Sequence, residues 1–354
     1  MTHSALARYQ RQMIFPGLGE AGQQRLLAAA AVVIGCGATG TALSNQLARM
    51  GVGRLRIVDR DFIELNNLQR QILFDQDDID ANLPKAEAAA RKLRAVNRDI
   101  EVEGIVADVN AGNVIDLIRG ATVVLDGTDN FSTRYLLNDA CVKLGIAWVY
   151  TGVIASYGMT ATFVPDGAAA ALPGERTATG CLRCLLGEMP PPGASPSCDT
   201  AGVIGPGVAL ITAVSAAEAM KLMTGRGELN PGLLHMDVWD HEYEILGSGV
   251  RRSDCKTCAR HEYEFLDAQV GVVSSSLCGR NAVQVQTVGA GPLDLASLAR
   301  RLESVARSVR RNDYLIKAEI DGYQWTIFPD NRAIIKGTAD EDAARSLYAR
   351  YIGG

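Results

Sequence analysis

The residues of this 354-residue chain best placed to do chemistry begin with Gly35-Cys36-Gly37-Ala38-Thr39-Gly40 and with Asp59 downstream. A glycine-rich turn between a strand and a helix lets a phosphate approach bare backbone N–H groups at the positive end of the helix. A carboxylate ending the next strand can hold ribose hydroxyls, and Asp61 stands beside it as a further cofactor-binding candidate. On these residues alone a dinucleotide such as NAD or FAD fits as well as a nucleoside triphosphate. Beyond them, Asn66-Asn67-Leu68-Gln69-Arg70-Gln71 adds amides and a guanidinium, and Lys85 opens a later helix. Cleavage of a triphosphate needs such cations because charge builds up on phosphate oxygens, whereas hydride transfer has little use for them. Asp126-Gly127-Thr128-Asp129 ends another strand, on the sheet edge where ligands bind. Paired carboxylates there suit a hydrated Mg²⁺. Asp129 is the stronger metal candidate; for Asp126 a turn or helix-cap role is the alternative.

The cysteines form a second constellation. Cys181-Leu182-Arg183-Cys184 and Cys255-Lys256-Thr257-Cys258 are two C-x-x-C knuckles. Four thiolates from two such turns make a closed tetrahedral Zn²⁺ site, with a redox pair as the competing reading. The separation is longer than in a compact zinc ribbon, so the fold must bring the knuckles together; His261 is then a bystander. Cys198, in Ser197-Cys198-Asp199-Thr200, lies outside both knuckles. Cys36 reads as a small side chain packed at the nucleotide, Cys141 as core, and Cys278 shows no rhodanese-like loop.

These residues need a scaffold. The apolar run 31–34 stops at glycine as a buried parallel strand does. Strands at 55–59, 101–106 and 121–125, with helices after the glycine turn, over 84–96 and before the last strand, predict an α/β fold. Its core is a doubly wound, Rossmann-like, mostly parallel sheet. Residues 166–200 read as a long mobile excursion pinned by zinc, and the apolar stretch 202–217 as a buried helix or a subunit interface. A boundary near 267 separates residues 1–266, with an N-terminal arm over 1–25, from a small α+β module over 267–354. In the module, a strand at 282–285, a helix over 293–309, a hairpin at Asp321-Gly322 and a helix over 341–351 are expected. With 47% hydrophobic and 21% charged residues and a net charge of -5, the chain has ample core and no basic run for nucleic acid or anionic membrane. The absence of an apolar signal core near Thr2, His3 and Ser4 predicts a cytoplasmic protein with reduced thiols.

Arg8-Tyr9-Gln10-Arg11-Gln12, Gly35 to Gly40, Asn67-Leu68-Gln69-Arg70-Gln71, Lys85 and Asp126-Gly127-Thr128-Asp129-Asn130, in this order over about residues 5–265, resemble the ThiF/MoeB/HesA family. That family contains the thiazole-biosynthesis and molybdopterin-synthase adenylyltransferases, relatives of the ubiquitin-activating enzymes. The resemblance implies that ATP is the substrate, that Asp59 holds the ribose, that Asn67, Arg70 and Lys85 contact the phosphates, and that Asp129 binds Mg²⁺. It implies a functional homodimer in which Arg11 reaches the γ-phosphate side of the other subunit's site. It also implies a ubiquitin-like sulfur-carrier protein ending in Gly-Gly as partner, activated at its C-terminal glycine. A cysteine desulfurase or sulfurtransferase would supply sulfur, and Cys198 stands where family members carry a cysteine that can link to the activated carrier. The module resembles an extension found on some bacterial members. The chain's own Gly353-Gly354 copies the carrier's ending, but self-activation is not expected. Competing readings are a nicotinamide-dependent oxidoreductase, a non-catalytic half of a heterodimer, and, within the same chemistry, carriers serving thiamine, molybdenum-cofactor, cysteine or secondary-metabolite pathways.

Overall fold

The computed structural model describes residues 6–190, 201–247, 249–267, 272–277, 281–287 and 292–352. The chain divides into two compact units, Met1–Asp267 and Ala268–Gly354.

The first unit is built on β1 (Ala30–Ile34), β2 (Arg54–Asp59), β3 (Glu101–Val106), β4 (Val123–Asp126), β5 (Ala147–Ile154), β6 (Tyr157–Phe163), β7 (Leu233–Asp237) and β8 (Glu242–Leu246). They form one sheet in the order β3-β2-β1-β4-β5-β6-β7-β8. The first five run parallel, and β6 to β8 pair antiparallel. Its helices include α1 (Gly19–Ala28), α2 (Ala38–Met50), α3 (Lys85–Val96), α4 (Phe131–Leu144), α5 (Leu182–Leu186) and α6 (Gly205–Thr224). The strand β1 is buried along its whole length, with Ala31 and Val33 in one core and Val32 and Ile34 in the other. A strand covered on both faces must read as a continuous apolar run, which is what made it visible in the sequence. Leu43 and Leu47 of α2, Ala86 and Ala90 of α3, and Ala219 and Leu222 of α6 fill the first core; Tyr135, Leu137 and Cys141 of α4 fill the second. Strands β5 to β8 were not anticipated.

The apolar stretch after Gly202 becomes α6, long and apolar enough to cross a membrane by composition, yet 61% buried inside the protein. It packs on α2, β5 and β6 and hides Glu218, whose carboxylate accepts from Thr162 and pairs with Lys221. It is a core helix.

The excursion departs from expectation over 166–190. Residues Asp166–Ala171 are helical, Arg176 donates to the carbonyls of Lys221 and Gly227, and Tyr135 donates to the carbonyl of Gly187. A Gly-, Pro-, Ala- and Ser-rich composition suggests mobility, but over 166–190 the Arg176 side chain reaches out to two carbonyls, Tyr135 donates to the Gly187 carbonyl, and the N–H groups of Thr179 and Gly180 bond Val164 and Gly249. Cys198 and the rest of 191–200 lie outside the described residues.

The second unit comprises β9 (Val272–Leu277), β10 (Ala282–Thr287), α7 (Leu295–Leu302), β11 (Ser308–Arg311), β12 (Ile316–Ile320), β13 (Tyr323–Ile327), β14 (Arg332–Lys336) and α8 (Glu341–Tyr351). Its sheet runs β11-β12-β13-β14-β10-β9, all antiparallel. The hairpin at Asp321-Gly322 has φ of +52° and +79°, the twist-compatible turn its sequence signalled. The helix expected over 293–309 is corrected: α7 ends at Leu302 although Ala306 and Val309 continue its apolar spacing, because Ser308–Arg311 pair with β12 as a strand. Beyond it Val309 pairs with Ala318 across β11 and β12, and Asn312 closes their turn by accepting from the N–H groups of Tyr314 and Leu315. Gly353-Gly354 and the side chain of Cys278 lie outside the described residues.

Candidate active site

The strand order reverses at β1, with β2 on one side and β4 on the other, so their carboxyl ends open a crevice at the switch point. Gly35, Asp59 and the Asp126–Asp129 loop all lie there. The turn from β1 into α2 is tight: Gly35 has φ +88°, and a Cβ on Gly40 would lie 1.9 Å from its carbonyl oxygen. A Cβ on Gly35 would meet the Gly127 carbonyl at 2.5 Å. Gly37 differs, because a Cβ there would meet nothing within 4 Å. It opens α2 without a side-chain cap, and an uncapped helix N-terminus of this kind can take an anion.

Asp59 is fixed by two backbone donors, Cys36 N–H to Oδ2 at 2.5 Å and Asp61 N–H to Oδ1 at 2.6 Å. Each oxygen retains a lone pair for a hydroxyl. Burial pushes its carboxyl above the usual range, against the pull of the Lys85 ammonium. Lys85 is held by its own N–H on the Asp61 carbonyl, and its buried Nζ lies 3.5 Å from Asp61 Oδ2. Burial works against the ammonium, but Asp61 and Asp59 outweigh it and raise its pKa. Cys36 is fully buried with its thiol pushed well up, which makes it packing rather than a nucleophile.

Arg70 is half-buried and donates to the Asn66 carbonyl at 2.7 Å. Asn67 is buried and spent on shaping the turn, accepting from Glu64 N–H and donating to Asn66 Oδ1. Gln71 is buried beside it, with Oε1 accepting no hydrogen bond from a described residue.

Asp126 and Asp129 have different surroundings. Asp126 is fully buried, accepts from Thr128 N–H and Oγ1 at 2.8 and 2.7 Å, and pairs with Arg134 at 3.0 Å. Burial raises its carboxyl despite Arg134. It is a turn-forming residue, not half of a metal pair. Asp129 is exposed, with one long contact from Asn130 at 3.4 Å, so it has lone pairs for a hydrated cation. Arg134, which no spacing in the sequence flagged, also donates to the Thr128 carbonyl at 2.8 Å and so holds the loop from β4 into α4.

In the N-terminal arm, Arg8 bonds Asp99 and the Val96 carbonyl, Tyr9 is buried on Asn97, and Gln12 bonds Gln23 and the Met50 carbonyl. Arg11 is exposed, as are Ile14 and Phe15.

The two knuckles do meet. The sulfurs of Cys181, Cys184, Cys255 and Cys258 all lie within 4.8 Å of one another, with pairs at 3.6, 4.0 and 3.4 Å. Zn–S bonds of about 2.3 Å in a tetrahedron place sulfurs ~3.8 Å apart, so the cage fits the ion. Arg252 N–H points at Cys184 Sγ at 3.4 Å, the type of donor that settles a thiolate. His261 lies outside the cage, its Nδ1 3.2 Å from the Tyr263 hydroxyl.

A model of the ThiF family matches residues 9–257. The sulfur carrier protein ThiS adenylyltransferase of Bacillus subtilis is 41% identical over 347 residues, which is 98% of this chain and 99% of that protein. The SAMP-activating enzyme E1 of Haloferax volcanii is 41% identical over 72% of this chain and 88% of its own length. The sulfur carrier protein adenylyltransferase of Thermus thermophilus is 39% identical, over 73% and 92%. Among solved structures, E. coli MccB with ATP has the same fold, with a TM-score of 0.60 at 22% identity over 71% of this chain and 74% of that one.

Proposed function

The chain belongs to the ThiF family, and we propose that it adenylates the C-terminal glycine of a ubiquitin-like sulfur-carrier protein ending in Gly-Gly, at the expense of ATP. The observation that carries the reading is the 41% identity to a sulfur-carrier adenylyltransferase over 98% of the chain. The crevice supports it, with Gly37 opening a bare helix N-terminus, Asp59 oriented for a ribose and Lys85 beside them. The Haloferax and Thermus relatives align with under three quarters of this chain, whereas the Bacillus protein aligns through the second unit as well. That favours a ThiS-type carrier and the thiamine pathway over molybdenum-cofactor or other thiocarboxylate pathways.

In this reading a carboxylate oxygen of the carrier's terminal glycine attacks the α-phosphorus, the bond to the bridging oxygen breaks, and pyrophosphate leaves with the electron pair. The carboxylate is already ionised near neutral pH, so no general base is needed. Lys85 and Arg70 offset charge developing on the phosphates, and Arg11 of the partner subunit of a homodimer adds to them. Asp129 would hold Mg²⁺, which supplies further charge neutralisation at the phosphates. Cys181, Cys184, Cys255 and Cys258 would hold a structural Zn²⁺. A sulfur nucleophile then attacks the acyl carbon and AMP leaves with the electron pair of the broken anhydride bond; a donor of the desulfurase or sulfurtransferase class brings that sulfur as a persulfide, and Cys198 is the proposed covalent relay. Carrier-dependent exchange of labelled pyrophosphate into ATP tests the reading: exchange must need the carrier's terminal glycine.

A further inference from the structure

The helix α4 leaves the Asp129 loop at one end, and about two to three turns later its side chains reach the cysteine knuckles. Asn138 is fully buried, and its Oδ1 accepts from the N–H of Leu182, inside the first knuckle, at 2.8 Å. Its Nδ2 finds no acceptor among the described residues, so the bond to Leu182 is the one the side chain makes. A buried amide with an idle N–H₂ costs stability, and an apolar residue would pack there at less expense. Asp139, next along the helix and equally buried, takes the second knuckle. Its Oδ1 accepts from Thr257 Oγ1 at 3.0 Å, between Cys255 and Cys258, and its Oδ2 accepts from the N–H of Phe265 at 2.9 Å. Val142, one turn further on, packs against the cysteine cluster itself. Consecutive residues of one rigid helix therefore grip two knuckles that lie far apart in the chain.

We propose that Asn138 and Asp139 are positioning residues for the four-thiolate metal site, holding one knuckle each so that the cage is assembled before the ion arrives. Neither side chain touches a sulfur. Each fixes the backbone or hydroxyl between two ligands, and so sets where Cys181 and Cys184 stand relative to Cys255 and Cys258. The metal then locks an arrangement that α4 already holds, rather than paying for the loop closure between distant cysteines. The proposal rests on the metal reading of the cysteine cluster.

The test is a metal titration of the full-length apo-protein under reducing conditions, following thiolate-to-Co²⁺ charge-transfer absorption and then displacement by Zn²⁺ against a chelator of known affinity. Asn138→Ala and Thr257→Val should each weaken Zn²⁺ binding by roughly 10–100-fold, the range for partners that orient metal ligands. Thr257→Ser, which keeps the hydroxyl that donates to Asp139, should bind as the wild type does. The thermal midpoint of each apo-protein, measured alongside, checks folding; if Asn138→Ala does not fold, the Thr257 pair decides. Wild-type affinity in Thr257→Val, or an equal loss in Thr257→Ser, would overturn the proposal. A wild-type protein that binds neither ion would overturn the metal reading and the proposal with it.

Discussion

Glycine does different work at neighbouring positions of one turn. At Gly40 a Cβ has no room against the Gly35 carbonyl, at 1.9 Å, so Gly40→Ala must push the turn apart and should lower the melting temperature by several degrees. At Gly37 a Cβ enters open space and φ is -80°, outside the left-handed region. Gly37→Val should therefore melt with the wild type yet raise the KM for ATP at least tenfold, by occupying the phosphate's place. Differential scanning fluorimetry and steady-state kinetics separate the two. Asp129→Ala and Arg70→Ala should leave the fold intact and lower pyrophosphate exchange by two orders of magnitude or more, on the scale of losing a transition-state charge contact. Asp126→Ala should fail differently, since it strands the buried Arg134 and costs about 3–5 kcal/mol of stability. The sequence spelled out Gly35 to Gly40, Asp59, Lys85 and Asp129. It ranked Asp129 above Asp126 as the metal candidate but did not supply the reason, because Arg134, which pairs with the buried Asp126, sits on the following helix with no spacing rule to announce it.

Elements were legible where both faces or one clear stripe were buried. The run at β1 and the stripe of α8 could be read directly. Strands β5 to β8 were missed although β5–β6 and β7–β8 are local hairpins, closing at Ile154–Tyr157 and Asp237–Glu242; only the β6–β7 pairing joins segments far apart in the chain. The over-long helix expectation at 293–309 failed because Ala306 and Val309 continue the helical apolar spacing of Leu295, Leu298 and Leu302, while Ser308–Arg311 in fact pair with β12. At the other end of α7, Asp294 caps the helix by accepting from Ser297 Oγ and from the N–H groups of Ser297 and Ala296, which holds its carboxyl below the usual range. A depressed folded-state pKa contributes stability above the unfolded value, near 3.9, and loses it as pH falls through the folded value. Wild-type melting temperature should therefore fall more steeply below about pH 4 than that of Asp294→Asn, which keeps an acceptor but does not titrate. Parallel slopes would contradict the capping account.

At the scale of the molecule, the arm presents Arg11, Ile14 and Phe15 outward while Arg8, Tyr9 and Gln12 hold it in place. If the partner subunit's Arg11 completes each site, inactive Arg11→Ala and Asp129→Ala proteins mixed and allowed to exchange subunits should recover about a quarter of wild-type activity, from the one intact site of each mixed dimer. No recovery after verified exchange would place Arg11 in its own subunit's site or outside catalysis. The two cysteine knuckles and their convergence on one site were legible from spacing and ligand count; how α4 holds them together was not, because Asn138 and Asp139 reach them through bonds no local pattern announces.

The central claim is tested most directly by carrier-dependent ATP–pyrophosphate exchange with a panel of ubiquitin-like sulfur carriers, each also prepared without its last glycine. The account predicts exchange with a ThiS-type carrier, lost when that glycine is removed and lost again in Asp129→Ala. ATP binding without exchange for any carrier would contradict the proposed substrate, and no ATP binding at the Gly37 crevice would contradict the site itself.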